Sequence, residues 1–179
     1  HLSIRRQRQM CIRDSNKSPD LPTMEILGLS VNRNLLNFLS SVRTFLDHSE
    51  FNLKKRYGND HERVEEYKRA CSCEYDNCFS YRFVYQLRNY TQHCGMPLGE
   101  LKFESKLKDA KTNSIAHSLA IYFNRDKLLS EFDWGSKLKQ EIQALPERFE
   151  ISWHVDQAMM CLRRIGKSLI KNDLAELSK

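Results

Sequence analysis

The apolar positions of this chain keep a helical period almost throughout, lose it once near the middle, and then recover it. Residues 16–23, with Pro19 and Pro22, carry no period and read as an entry segment. From Met24 to His48, Leu35, Leu36, Leu39, Val42, Phe45 and Leu46 recur three and four residues apart, the repeat of one helix face. A short helix follows, closed by Gly58-Asn59-Asp60, with Asp60 placed to cap the next one through its side-chain oxygen. That next helix is expected to run from His61 to Cys94, bent near residues 73–77. Gly95 stops it by accepting a left-handed turn, and Pro97 by lacking an amide hydrogen.

Between Glu100 and Phe123 the pattern changes. Leu101 and Phe103 alternate with charged residues, Ser118 to Phe123 is rich in strand-forming side chains, and Lys111-Thr112-Asn113 supplies turn residues between them. This predicts a small β-hairpin over about residues 101–123. Helical spacing then returns. A short helix is expected over Lys127–Phe132, started by Asn124 or Asp126, and a second over Lys137–Ala144, opened by Ser136 and ended by Pro146. The last runs from Ser152 to about Leu177 on the stripe Val155, Met159, Leu162, Ile165, Leu169 and Leu174. The fold expected is mainly α, a single-domain helical bundle over residues 16–179 with one β-hairpin insertion. No internal repeat interrupts it.

A chain of 179 residues is long enough for one domain with a real core. Its formal charge of +6 overstates how basic that domain is. Residues 5–15 resemble the translation of a sequencing adapter, so residues 1–15 are expected to be an assembly artefact, without fixed structure; a basic arm for nucleic acid is the competing reading. Arg5, Arg6, Arg8 and Arg13 against Asp14 put +3 in that leader, leaving +3 for the rest. A mildly basic body can hold RNA locally, but its charge does not dictate such a partner. No apolar run approaches the roughly 18 residues of a membrane span, and no signal peptide is apparent. A cytoplasmic protein without a membrane partner is expected. Cys71, Cys73, Cys78, Cys94 and Cys161 then read as free, packed thiols, because Cys71-Ser72-Cys73 with Cys78 is not a zinc spacing even with His61, His93 or Cys94 as a fourth ligand.

The chemistry concentrates in Arg88-Asn89-Tyr90-Thr91-Gln92-His93, six residues without an acid among them. Arg can grip a phosphodiester oxygen bidentately, and His exchanges protons near neutral pH. At about 100° per residue, Phe79, Phe83, Leu87, Tyr90 and Cys94 share a face expected to be buried. Tyr81, Tyr85, Arg88 and Gln92 lie opposite, suited to a dimer seam or to stacking bases, while Arg82, Gln86, Asn89 and His93 form a third, polar stripe. Asn89 and His93 are neighbours one turn apart, so the amide can orient the imidazole. Arg88 points about 140° away from His93, so one copy of the helix does not bring the pair together easily. Singly, each residue has an ordinary explanation: a helix-end His, an ion-paired Arg, a solvated Asn. Together they favour a site over coincidence.

In the order Arg-Asn-x-x-x-His, Arg88, Asn89 and His93 resemble the active-site signature of the HEPN superfamily of nucleases. The resemblance covers the motif and the helix that carries it. It implies a HEPN-like helical bundle and a homodimer in which two signature helices share a composite site. It further implies a metal-independent endoribonuclease with no cofactor that cleaves by 2'-hydroxyl attack and leaves a 2',3'-cyclic phosphate. Arg88, Asn89 and His93 would be catalytic, and Arg82, Tyr85 and Gln92 are the residues expected to contact RNA. Roles in phage defence or beside a cognate antitoxin are the biology such proteins suggest. The alternative is a non-catalytic HEPN-like module binding a nucleotide, RNA or a protein; a plain structural protein is the third reading.

Overall fold

The structure is a computed structural model that describes residues 20–96, 99–109 and 114–177. The leader at residues 1–15, Pro97 and the expected turn at residues 111–113 lie outside the described residues. Helix α1 spans Leu21–Tyr57. Asp20 caps it, its carboxylate accepting the Thr23 N–H at 3.0 Å, and Pro22 sits in the first turn where an amide hydrogen would have no partner. The expected break after His48 does not occur, because no Gly or Pro intervenes and half-buried Leu53 carries the stripe of Leu35, Leu39, Val42 and Leu46 onward. Gly58, at φ 97°, ends the helix as anticipated.

Helix α2 spans Glu62–Asn77. Its cap is His61, not Asp60: the helix begins one residue later than Asp60 needs, and His61 Nδ1 accepts the Arg63 N–H at 3.2 Å. The bend expected near residues 73–77 is a full break. Cys78 takes an extended conformation (φ −123°, ψ 108°), and helix α3 starts afresh over Phe79–His93. Gly95, at φ 93°, follows its end.

Strands β1 (Glu100–Asp109) and β2 (Ser114–Asn124) form the expected antiparallel hairpin, with Phe103 opposite Leu119 and Ser105 opposite His117. A third strand, β3 (Arg148–Glu150), adds to β2 in the order β1-β2-β3, pairing Phe123 with Phe149. Three residues are too few to show a period, which is why the sequence conceals it. Helix α4 (Arg125–Glu131) is capped by Asn124, whose Oδ1 accepts the Lys127 N–H at 2.8 Å. Helix α5 spans Ser136–Gln143 and starts after Gly135 at φ 71°, with no side-chain cap from Ser136, and α6 spans Ser152–Leu177.

Helix α3 is the axle of the molecule, with α1, α2, α5 and α6 packed around it. On one side Phe83, Leu87 and Tyr90 meet Leu35 and Leu39 of α1, Phe123 of β2, Leu128 of α4 and Ile142 of α5. Trp134 lies against the rings of both Phe83 and Tyr90, with centroids at 5.6 Å, and donates its indole N–H to the Leu128 carbonyl at 2.8 Å. On the other side Tyr81 joins Val42, Leu46, Tyr67, Cys161, Leu162 and Ile165 in a second cluster. Phe38 touches both. Among the described residues no helix is long and apolar enough to cross a membrane.

Candidate functional site

The six-residue motif closes α3, where the chain emerges from the core. Tyr90 is fully buried and donates its hydroxyl to the Glu131 carboxylate. It thereby anchors the last turn, since burial beside that carboxylate pushes the phenol pKa up and keeps it neutral. Around this anchor Arg88 and Asn89 are half-buried, while Gln92 and His93 are exposed. Arg88 donates to the Gln92 side chain one turn on and has no carboxylate partner among the described residues. The His93 imidazole makes no hydrogen bond or ion pair to any described residue. Asn89 Nδ2 donates to Gln86 Oε1 at 3.0 Å, one turn back, and not to His93 one turn ahead. The orienting contact expected from sequence is therefore absent from this conformation.

Two expected positions behave otherwise. Arg82, read as part of an RNA-facing stripe, is 3 % exposed. Its Nη2 and Nε bind Glu141 of α5 at 2.5 and 3.1 Å, and Nη1 donates to the Tyr75 carbonyl. It is a structural clamp, because α2 and α5 cover that end of the stripe. Tyr81, expected on an open face, is 3 % exposed because α6 packs there. Tyr85 is half-buried and accepts a hydrogen bond from Arg43, whose guanidinium lies 5.2 Å from the ring centroid. The buried face of α3, by contrast, is the one the wheel identifies, with Phe83, Leu87 and Tyr90 all at 0 % exposure.

Beside the tyrosine face lies a cleft of about 510 Å³ between α1, α2 and α3. Tyr67, Tyr75, Tyr81 and Tyr85 line it, with Arg43 from α1 and Asp76 from α2 among the polar side chains. Burial drives the Tyr67, Tyr81 and Cys71 groups upward in pKa, so all three stay protonated and uncharged at neutral pH. Tyr67 donates to the Leu46 carbonyl at 2.8 Å. The Tyr81 hydroxyl has no hydrogen bond to any described residue. Sequence reasoning did not single out this cleft, although Tyr67, Cys71 and Tyr75 recur every fourth residue and mark one face of α2.

The remaining titratable candidates serve structure. His154 is buried among Phe79, Phe83 and Phe149, with Nδ1 2.9 Å from Ser80 Oγ, and burial lowers its pKa. Cys71, Cys73, Cys78, Cys94 and Cys161 are free thiols, and among the described residues no three His, Cys, Asp or Glu side chains gather as a metal site. Comparison of the chain with family models, curated proteins and solved structures finds no match.

Proposed function

We propose that this protein is an endoribonuclease of HEPN type that works without a metal, with Arg88, Asn89 and His93 as its catalytic residues and RNA as its substrate. The observation that carries the reading is the economy of the motif. Arg88 and His93 end a buried helix with no acidic partner among the described residues, while Arg82 on the same helix is fully spent on Glu141. A guanidinium and an imidazole at a helix end, with no carboxylate partner among the described residues, suit a phosphodiester. An imidazole there can pass a proton to or from the reacting oxygens.

In this mechanism the RNA 2'-hydroxyl attacks the adjacent phosphorus and the 5'-oxygen leaves. His93 takes the proton from the nucleophile or gives one to the leaving oxygen. Arg88 neutralises the charge of the phosphorane, a contact whose loss costs ~10²–10³ in rate. Asn89 keeps its carbonyl oxygen and one N–H for the substrate, and Gln92 holds the Arg88 guanidinium in place. Because an ideal helix separates Arg88 from His93 by about 140°, the working unit is a homodimer in which two α3 ends meet. Service in phage defence, or under restraint by an antitoxin, is the setting this activity fits.

The test is direct. Purified protein is incubated with a mixed-sequence RNA in EDTA, and the fragment ends are identified. Cleavage leaving 2',3'-cyclic phosphates, lost in His93→Ala and reduced about a hundredfold or more in Arg88→Ala, is expected. Intact RNA, or cleavage indifferent to both substitutions, would sink the assignment. The tyrosine-lined cleft favours a second reading, a HEPN-like module that binds a nucleotide or RNA without cutting it; retained binding with no cleavage at any protein concentration would select it.

A further inference from the structure

The cleft between α1, α2 and α3 has the size and lining of a small-molecule site, since roughly 300–1,000 Å³ is the usual range for such pockets. Its walls are tyrosine rings, and Tyr75 and Tyr85 meet edge to face at 5.7 Å. Tyr81 supplies a polar group on the cleft wall. Its side chain is 3 % exposed, it lines the cleft, and its hydroxyl has no partner among the described residues. That hydroxyl is therefore open to donate to, or accept from, a molecule in the cleft.

The charges decide what kind of ligand fits. Arg43 and Lys68 face Asp47, Glu50 and Asp76, so the lining sums to −1 and does not suit a phosphate. An organic cation is also disfavoured. Guanidiniums already sit by the tyrosine rings, Arg43 at 5.2 Å from Tyr85 and Arg82 at 5.7 Å from Tyr75. Asp47 is bonded to Arg43 at 2.9 Å and Glu50 to Lys54 at 2.6 Å, which leaves Asp76 as the lining carboxylate without an ion pair among the described residues. What remains is a neutral aromatic ring with amino donors, stacked on tyrosine and read by one carboxylate and one hydroxyl.

We propose that this cleft receives a single unpaired, amino-bearing nucleobase, carried by a free mononucleotide or by a single-stranded RNA, with the phosphate left outside. Tyr85 lines the cleft and lies one turn before Arg88 on α3, so a base held there leaves its backbone toward the motif; that orientation rests on the nuclease reading, whereas the base pocket does not.

Calorimetric titration of the full chain with cytidine, uridine, cytidine 5'-monophosphate and an uncleavable 2'-O-methyl oligocytidine tests it. Cytidine should bind about tenfold more tightly than uridine, which offers a carbonyl where cytosine offers an amine. Asp76→Asn should remove that preference. Tyr81→Phe should weaken cytidine several-fold while leaving thermal stability unchanged, because the hydroxyl it deletes bonds no described residue. Tighter binding of the mononucleotide assigns the pocket to free nucleotides, and tighter binding of the oligomer to strands; either bears out the base site. No saturable nucleoside binding, or binding that ignores both substitutions, overturns it. Cytidine binding without any RNA cleavage removes the nuclease reading and leaves the pocket; cleavage with unchanged KM in both variants, and no cytidine binding, does the reverse.

Discussion

Two arginines six residues apart on one helix have opposite fates, and burial separates them. Arg82 lies under α5 and is held by Glu141; Arg88 emerges where no carboxylate pairs with it among the described residues. The Arg82 side chain is 4 % exposed and that of Glu141 30 %, so the two halves of the pair are not equivalent. Glu141→Ala strands a buried cation and should destabilise by about 3 kcal/mol in urea unfolding. Arg82→Met keeps the stem volume and leaves a carboxylate that water can reach, so its cost should be smaller. Equal losses would show that packing, not the uncompensated charge, dominates. His154 supplies a pH test. Burial holds its pKa below the ordinary 6.5, so the unfolded chain binds a proton first as pH falls. Its contribution is complete above 6.5 and is lost as pH drops from there toward the lowered folded value. Unfolding free energy measured across that window should fall more steeply for the wild type than for His154→Gln; parallel profiles would mean the imidazole is not the group responsible.

At the scale of elements, helices with a repeating apolar face were legible and their junctions only partly so. The final helix, Ser152–Leu177, and the hairpin follow from the period of the apolar residues. Gly58 and Gly95 end helices at positive φ where their lack of a Cβ requires it. Cys78 is different. Nothing in its side chain announces an extended residue between two helices, and the break arises from how α2 and α3 pack, which one-dimensional spacing does not carry. The same reason hid the burial of Arg82 and Tyr81: a helix wheel gives angles, but which faces neighbours cover depends on α5 and α6, far along the chain. The motif itself was legible because its residues are local to one helix, whereas the cleft draws on three. Two glycines turn this into opposed predictions. A Cβ at Gly58 meets no atom within 4 Å, yet its φ of 97° is strained for any L side chain, so Gly58→Ala should destabilise by about 1–2 kcal/mol. Gly166 is inside α6, and its Cβ would rest 3.8 Å from Phe45, an ordinary contact. Gly166→Ala should stabilise by about 0.5–1 kcal/mol in thermal melts. Two shifts of the same sign would refute this account of the backbone.

For the whole molecule the question is whether two cores flanking one helix behave as one body. Tyr81 contributes to one cluster, Phe83 and Leu87 to the other, and Phe38 of α1 touches both, so neither cluster can dissolve without stripping a face of α3. A helix of 15 residues has little stability alone, and it persists here because packing covers both of its sides. Loss on either side should therefore propagate. Trp134 reports on the first cluster, being 4 % exposed against Phe83 and Tyr90, whereas Ile165 belongs to the second. Ile165→Ala should cost about 3 kcal/mol through the cavity it leaves. In urea, the indole fluorescence and the helical circular dichroism of this variant should shift to lower midpoints together, in a single transition. Trp153 is 60 % exposed and adds a fluorescence signal that changes little on unfolding, so the shift is read from Trp134. A fluorescence midpoint that stays in place while the dichroism moves would mean that the clusters unfold separately. The motif at the end of α3 would then be mounted on a helix that only one of them holds.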